Sequence, residues 1–174
     1  MHGSPLICLG ECGIISLPIN KNLTVVNMIS LRNFTDNDAL EFQQKQNANM
    51  SLDEIKTMFA KWEEKEFSGK YFEMFAIIKD NEIVGMISLY QHSATVISCG
   101  PEIFERYRKQ GIGGDAMILA MKTAKNKGYQ LISQQIRLDN IASIALHNKL
   151  GFETDGYIYT NKKGNDVQIF IKLL

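Results

Sequence analysis

The sequence predicts a single α/β (α+β) domain built on one sheet. The chain of 174 residues can form one well-packed domain and is too short for two ordinary ones. Its apolar content of 45% and charged content of 22% are typical of a globular protein. Its segments follow in the order strand, two helices, several β-rich runs, helix, strand, helix and hairpin. This order is typical of a mixed domain.

The first part of the chain predicts one strand and two helices. Ile29 to Arg32 alternates apolar and polar residues, as a half-buried strand does. Thr35 or Asp36 can cap a helix that runs through Gln46. Ser51, with a glutamate three residues later, has the capping-box pattern and begins a second helix. The apolar residues on one face of that helix are Ile55, Met58, Phe59 and Trp62. We expect the tryptophan in the core rather than as a platform for substrate.

The middle of the chain predicts three strands. Phe72 to Ile78 and Ile83 to Tyr90 are β-rich and are separated by Asp80-Asn81, which predicts a hairpin. A further strand runs from Ala94 to Phe104 and is interrupted by Gly100-Pro101. Because proline donates no ladder hydrogen bond, this pair predicts a bulge or a place where the strand leaves its neighbour.

The second half predicts two helices and three strands. Apolar residues at helical spacing begin at Ile112, and the helix ends at Gly128 after a run of lysines. A strand from Leu131 to Leu138 precedes a short helix from Asn140 to Leu150. The closing hairpin turns at Lys163-Gly164 and pairs two strands, Tyr157 to Thr160 and Val167 to Leu173.

Residues 1–27 are predicted to be a leader outside the domain, which we expect to span residues 28–174. Met1 to Ser4 resembles an expression tag, and the following residues lack the positively charged start of a signal peptide. An alternative is that Leu23 to Val26 extends the first strand.

The charge is balanced overall and uneven along the chain. Nineteen lysines and arginines equal nineteen aspartates and glutamates, which argues against a nucleic-acid protein that acts by bulk charge. No apolar run approaches the roughly 20 residues that span a bilayer, so no membrane partner is expected. Between Asp36 and Glu66 there are eight acidic and four basic residues, and between Arg106 and Lys127 six basic and one acidic. This split suits an anionic cofactor and a cationic second substrate, or simply two solvated surfaces.

The three cysteines are Cys8, Cys12 and Cys99. Their odd number and the lack of zinc-like spacing with histidines argue against a disulfide framework and against a metal site. This usage favours a reducing, cytoplasmic setting. Cys99 lies in an apolar strand, where we expect it to pack rather than to act as a nucleophile.

A glycine-rich turn stands between the third middle strand and the next helix. Glycine lets backbone amides approach a ligand, and the amides and dipole of the following helix favour an anion there. The G-x-x-x-x-G-K-[ST] and G-x-G-x-x-G patterns are absent, which argues against an ATPase or an NAD enzyme. The alternative is a tight turn that binds nothing. The turn consists of Arg108, Lys109, Gln110, Gly111, Ile112, Gly113 and Gly114.

A second pattern follows about thirty residues later. It runs Asn140-Ile-Ala-Ser-Ile-Ala-Leu-His-Asn-Lys-Leu-Gly-Phe152, and its glycine is the expected left-handed residue after the helix. Together the two patterns resemble the GNAT superfamily of N-acetyltransferases, over residues from about 29 to 174. The resemblance implies a mixed, mostly antiparallel sheet that splays between its fourth and fifth strands, here residues 94–104 and 131–138. The turn would then hold the pyrophosphate of acetyl-CoA.

The resemblance also implies direct attack by an amine within a ternary complex. The amide of Ile103 is the candidate to stabilise the thioester oxyanion, and Glu102 is the candidate base. His147 stands where the family usually has a tyrosine acid, so it either donates a proton or only contacts the cofactor. Weaker candidates are Tyr157 and Tyr159 as acids and His92 as base. The residues expected to bind the cofactor are Ile103, Arg108, Lys109, Gln110, Gly111, Ile112, Gly113, Gly114, Asn140, Ser143, His147 and Lys149.

The predicted function is acetyl-CoA-dependent acetylation of a primary amine. A small cationic amine is slightly favoured over a protein N-terminus or lysine, because the early helices are acidic. One alternative is a non-catalytic domain that binds acyl-CoA as a sensor or scaffold. Another is a nucleotide-binding domain of a different family. A homodimer is left open.

Overall fold

The structure is a computed structural model that describes residues 29–174. The predicted leader, Cys8 and Cys12 lie outside the described residues. The strands are β1 (Ile29–Arg32), β2 (Glu66–Phe67), β3 (Lys70–Lys79), β4 (Glu82–Gln91), β5 (Val96–Ile103), β6 (Leu131–Arg137), β7 (Tyr159–Thr160) and β8 (Asp166–Leu173). The helices are α1 (Ala39–Lys45), α2 (Leu52–Glu63), α3 (Ile112–Asn126) and α4 (Ile141–Lys149), with 3₁₀ turns at Asp36–Asp38 and Glu105–Tyr107.

The strands form one open sheet in the order β1-β3-β4-β5-β6-β8-β7, with β2 paired to β3. Every adjacent pair is antiparallel except β5 with β6, which is parallel. The predicted fold class is confirmed. None of the helices within residues 29–174 is long and apolar enough to cross a membrane.

The sheet splays between β5 and β6. These strands pair only at Val96 with Leu131 and at Ile97 with Ile132. Beyond these pairs β5 continues to Ile103 and β6 to Arg137 without facing each other in the ladder. The splay predicted between residues 94–104 and 131–138 is therefore present. The strands are fifth and sixth because the two-residue β2 precedes them.

The bulge predicted at Gly100-Pro101 is wrong. The register between β4 and β5 is continuous through Ser88 with Gly100 and Ile87 with Pro101. The Phe104 amide donates to the Val84 carbonyl at 3.0 Å, and ladder alternation then makes Pro101 a non-hydrogen-bonded position. Its missing N–H costs no bond to β4, so no bulge is needed. The other predicted outcome holds, because at this point β5 has left β6.

Two apolar layers cover the sheet. α3 packs on one face, with Met117 and Ala120 fully buried against residues such as Ile87. On the other face an aromatic cluster joins α1 and α2 to β3 and β4, and its largest buried members are Phe34, Phe42, Phe59 and Phe104. The apolar face predicted for the second helix is confirmed. Cys99 is buried against α3, in agreement with a packing role.

The helix ends follow local signals in the sequence. The Ser51 amide donates to Glu54 at 2.8 Å, and the Ser51 hydroxyl accepts from the Glu54 amide at 3.3 Å, which completes the predicted capping box. Gly151 has φ +72°. The Phe152 amide donates to the His147 carbonyl at 3.0 Å, which is the Schellman arrangement. Gly128 ends α3 in the same left-handed conformation.

Candidate active site

The glycine-rich turn leads directly into α3. Gly111 is the residue before the helix and has φ +81°, and Lys109 is also left-handed at φ +61°. A lysine in this conformation is uncommon, and such backbone strain is concentrated at binding sites. A Cβ on Gly111 would meet nothing within 4 Å, so space lies beside the turn.

Backbone amides at the start of α3 are available to a ligand. The amides of Gly114 and Asp115 donate to the Gly111 carbonyl at 2.9 and 3.2 Å. The amides of Gly111, Ile112 and Gly113 precede them, and the first turn of a helix offers them no backbone acceptor. These donors at the positive end of a helix of 15 residues are suited to binding an anion.

The turn opens into a cleft of about 580 Å³ between β5, α3 and α4. Most of the residues predicted for the cofactor meet there, although they are far apart in sequence. The cleft is lined by Pro101, Glu102, Ile103, Tyr107, Arg108, Lys109, Gly111, Ile112, Gly113, Gly114, Asn140, Ala142, Ser143 and Leu146.

The backbone of Ile103 faces the gap between β5 and β6. Its partner in β4 is Gly85, at a non-hydrogen-bonded position, so the Ile103 amide and carbonyl point away from β4. The Arg108 Nε donates to the Ile103 carbonyl at 2.9 Å. The amide of Ile103 therefore points toward the gap as a hydrogen-bond donor. The family resemblance implies this amide as the donor to the oxyanion.

Glu102 is exposed and lies on the sheet face opposite α3, beside the end of α1. Its Oε1 accepts a hydrogen bond of 2.5 Å from the Gln46 Nε2. Glu102 is among the residues that line the cleft.

α4 contributes two of the predicted residues to the cleft. Asn140 caps the helix, since its Oδ1 accepts from the Ser143 amide at 3.1 Å, and both residues line the cleft. Two others predicted for the cofactor stand outside the cleft lining. Lys149 is exposed at the far end of α4, and the Gln110 Oε1 accepts from Lys79 at 3.2 Å.

His147 lies in the core rather than in the cleft lining. Its side chain is 1% exposed and its ring packs against Phe152 and Phe170, at centroid distances of 4.7 and 6.0 Å. Burial lowers the pKa of His147 more than the hydrogen bond to the Ser143 carbonyl raises it. The ring is therefore neutral near pH 7, and a neutral imidazole is poorly suited to the proton-donor role that the sequence suggests.

The weaker candidates also lie outside the cleft lining. Tyr157 is 70% exposed, and the Tyr159 hydroxyl accepts a hydrogen bond from Gln135. His92 pairs with Val96, six residues before Glu102, so it lies about 20 Å away along the strand.

Sequence reasoning missed three residues that shape the cleft. Tyr107 and Leu146 line it, and Gln46 holds Glu102. Leu146 packs beside the positions where a Cβ on Gly113 or Gly114 would lie, at 3.8 and 3.7 Å. Leu146 belongs to the second motif and Tyr107 directly precedes the first, whereas nothing in the sequence links Gln46 to Glu102.

The cleft fits the parts of coenzyme A. Free amides and two cations surround one end, which suits a pyrophosphate, and the end of β5 that lines the cleft is not paired with β6. Gln134, in β6 beyond its last pair with β5, has a buried side-chain oxygen that has no hydrogen-bond partner. Residues 29–174 contain no cluster of three His, Cys, Asp or Glu side chains able to hold a metal.

Comparison with known proteins agrees with this geometry. The model of the acetyltransferase (GNAT) family matches residues 35–152. A curated relative is the prophage-derived N-acetyltransferase YokL of Bacillus subtilis strain 168, which is 29% identical over 100 residues. That match covers 56% of each protein, so the chain spans little more than half of this relative's length.

Solved structures share the fold. The ribosomal L7/L12 α-N-protein acetyltransferase RimL, in complex with coenzyme A, has a TM-score of 0.72 at 18% identity, covering 84% of this chain and 94% of RimL. The spermidine/spermine N-acetyltransferase SpeG of Vibrio cholerae has a TM-score of 0.66 at 14% identity, covering 84% of this chain and 95% of SpeG. With the family match over most of the chain, the protein belongs to the acetyltransferase (GNAT) family.

Proposed function

We propose that this enzyme takes its acetyl group from acetyl-CoA bound in the cleft and transfers it to the primary amine of a small cationic molecule. The observation that carries the proposal is that the free amides of the turn and the amide of Ile103 open on one cleft. Acetyl-CoA supplies a thioester, whose carbonyl carbon an amine can attack directly.

Each part of the cleft has a role in this reaction. The amides of Gly111 to Gly113 bind the pyrophosphate, together with Arg108 and Lys109. The Ile103 amide donates to the acetyl oxygen and stabilises the negative charge that develops there. Glu102 accepts the proton of the amine, directly or through water. The C–S bond of the thioester then breaks, and coenzyme A leaves as its thiolate, which takes a proton from solvent. His147 stays neutral in the core and takes no part in proton transfer.

The acceptor reaches the cleft over an uncovered strip of the sheet. α2 packs on β3, and on the same sheet face Ser88, Ser98 and Gly100 are only half-buried. The strip ends at the exposed Glu102. From there it runs about 13 Å along β5, four residues, to the level of Tyr90.

An aromatic pocket lies at the other end of the strip. Its volume is about 670 Å³, and its lining includes Trp62, Phe67, Phe72 and Tyr90. Aromatic faces attract ammonium groups and pack against alkyl chains. Trp62 therefore combines the predicted core packing with a place in this pocket.

Some of the acidic residues of the early helices form ion pairs with basic residues of the same part of the chain. Asp38 pairs with Arg32 at 2.7 Å, and Glu41 pairs with Lys45 at 2.6 Å. Glu64 and Glu66, in contrast, line the aromatic pocket beside one lysine. Their charge complements a cation in this pocket, which supports an amine with a second positive group.

A second acceptor class is favoured by a basic pocket on the other side of the gap. This pocket has a volume of about 660 Å³ and includes Arg137, Lys162 and Lys163. It suits an acceptor that carries carboxylates, such as the N-terminus of an acidic protein. RimL, which acetylates a ribosomal protein, and SpeG, which acetylates spermidine and spermine, represent the two classes among the structural neighbours.

Acetylation assays with paired variants separate the two classes. We expect the wild type to release thiol from acetyl-CoA faster with an α,ω-diamine than with an acidic peptide that has a free N-terminus. Glu64→Gln/Glu66→Gln should lower kcat/KM for the diamine about tenfold by removing the charge attraction. The matched control, Lys162→Gln/Lys163→Gln, should leave the diamine reaction unchanged.

A different ranking would contradict the proposed acceptor. If the acidic peptide reacts faster and only the lysine variant slows it, the acceptor is a protein N-terminus. If no amine increases thiol release although coenzyme A binds, the transfer to small amines is wrong.

A further inference from the structure

We propose that Phe67 is a specificity-determining residue, and that it selects linear α,ω-diamines long enough to place a second ammonium in the aromatic pocket. The inference rests on the proposed function, because it takes the cleft as the place of acetyl transfer. It adds the chain length of the acceptor and the side chain that recognises its far end.

Phe67 forms one wall of the aromatic pocket and has no part in the core. It is 61% exposed and belongs to neither apolar layer of the sheet. Its ring centroid lies 6.2 Å from that of Phe72 and 6.3 Å from that of Tyr90, and all three residues line the pocket. The three rings therefore surround one opening, and Phe67 is the most exposed of them.

The backbone on both sides of Phe67 has an unusual conformation. Lys65 and Ser68 are both left-handed, each with φ 53°, although neither is glycine. Such residues are uncommon and persist only where the surrounding structure holds them. Lys65 forms an ion pair with the buried Glu73 at 2.8 Å, and its carbonyl accepts a hydrogen bond from the Phe72 amide at 3.1 Å. The fold therefore fixes the backbone that carries Phe67 beside the pocket.

Charge and aromatic faces together favour a cation in this pocket. Glu64 and Glu66 stand on either side of Lys65 in the chain, and the Lys65 ammonium pairs with Glu73. Lys61 is the basic residue of the lining. An aromatic face attracts a cation within about 6 Å of its centroid, so one ammonium among these rings lies within reach of more than one face. A polymethylene chain that leads to this ammonium packs against the same rings.

The strip between the cleft and the pocket is open to an extended chain. From Glu102 to the level of Tyr90 it follows four residues of β5, about 13 Å. Its half-buried residues have small side chains, which leave room for a chain to lie along the sheet. These residues are Ser88, Ser98 and Gly100.

This distance determines the length of the acceptor. Single bonds of about 1.5 Å that meet at about 111° advance an extended chain by about 1.25 Å each, so roughly ten bonds are needed to cover the strip. A diamine with four carbons spans only about 6 Å and leaves its second ammonium on the strip. A diamine with ten carbons reaches the rings while its other amine is beside the Ile103 amide.

Initial-rate kinetics with paired amines at saturating acetyl-CoA test the proposal. The diamines are 1,4-diaminobutane and 1,10-diaminodecane, and each is compared with the monoamine of the same length, 1-aminobutane or 1-aminodecane. The ratio of kcat/KM between diamine and monoamine separates the effect of the second ammonium from that of the chain. In the wild type we expect a ratio of about two for the four-carbon pair, from its two equivalent amines. For the ten-carbon pair we expect about twenty, because contact with the rings adds about tenfold.

Three variants identify the residue that is responsible. Phe67→Ala should lower the ten-carbon ratio about fivefold and leave the four-carbon ratio unchanged, because only the longer diamine reaches the ring. Phe67→Tyr keeps an aromatic face and should retain the wild-type ratios. The matched control is Ile118→Ala, which also truncates an exposed apolar side chain but lies on α3, at the other face of the sheet, and should change neither ratio.

The outcomes separate this inference from the proposed function. Equal wild-type ratios for the two lengths overturn the selection by length and leave the transfer to small amines intact. A ten-carbon ratio that Phe67→Ala does not change, or that Ile118→Ala lowers equally, overturns the role of Phe67. If the wild type binds coenzyme A but acetylates none of the four amines, the proposed function is wrong, and this inference with it.

Discussion

His147 shows how the burial of one residue changes its chemistry. It occupies a motif position where the family usually has a tyrosine, yet its ring is packed between Phe152 and Phe170 and its pKa is lowered by burial. We expect His147→Phe to keep kcat within about twofold of the wild type, because a neutral, buried ring donates no proton. Steady-state kinetics at saturating acetyl-CoA measure this. A tenfold loss of kcat with unchanged coenzyme A affinity would restore the acid role.

The same residue predicts a dependence of stability on pH. Because the pKa of His147 is lower in the folded than in the unfolded state, the unfolded chain binds more protons as the pH falls below about 6.5. The free energy of unfolding therefore decreases as the pH falls in that range. In His147→Phe we expect this pH dependence to be smaller by the contribution of the one histidine, as urea unfolding at several pH values would measure.

Residues of the site could be predicted where the neighbouring residues in the sequence determine their backbone conformation. The turn around Gly111 and the cap at Asn140 follow from torsions and amides that neighbouring residues set. Tyr107 and the burial of His147 were not predictable, because they depend on strands and helices that meet only in the folded chain.

The pairing of β4 with β5 positions Glu102 and Ile103. A Cβ on Gly85 would lie 2.4 Å from the Glu102 carbonyl, so only glycine allows the two strands to approach. We expect Gly85→Ala to lower the free energy of unfolding by about 1–3 kcal/mol, the usual cost of overpacking, and to reduce kcat as the Ile103 amide moves. Urea unfolding and steady-state kinetics measure the two effects.

Gly100→Ala is the matched control for this element. Its nearest neighbour would be the Gln134 Nε2 at 3.7 Å, an ordinary contact, so the same substitution there should cost much less. Equal losses of stability in the two variants would show that replacing any strand glycine by alanine has this cost, and that the close approach of β4 to β5 is not its cause.

Helix boundaries could be predicted better than strand contacts. Caps such as Ser51 and Gly151 act within a few residues, and the structure keeps them. β2 was missed because its two residues are defined by pairing with β3 across Ser68 and Gly69, both left-handed. The bulge assigned to Pro101 failed for the same reason, since the ladder position of a proline is set by the partner strand.

At the scale of the molecule, Glu73 pairs with a lysine that follows α2 and with a lysine that follows α3. It lies in β3 and its side chain is 4% exposed. Lys65, after α2, reaches it at 2.8 Å, and Lys127, after α3, at 3.3 Å. Tyr71 and Asn33 donate further hydrogen bonds. Burial raises the pKa of Glu73. The hydrogen bonds from Lys65, Tyr71 and Asn33 and the charge of Lys127 have the larger, opposite effect, and the resulting pKa is about 2.

This depressed pKa predicts how the whole fold responds to acid. The carboxylate has a pKa of 4.5 without these contacts and about 2 in the fold, so the unfolded chain binds more protons between these values. Its stabilisation is fully present above pH 4.5 and is lost as the pH falls toward 2. We expect Glu73→Gln to lower the free energy of unfolding at pH 7 by roughly 3 kcal/mol, and the deficit to shrink as the pH approaches 2. Urea unfolding from pH 7 to 2.5 measures this. The exposed Glu63→Gln is the control and should show no deficit. If the difference in the free energy of unfolding between Glu73→Gln and the wild type stays constant with pH, then the packing of Glu73, rather than its buried charge, accounts for its contribution to stability.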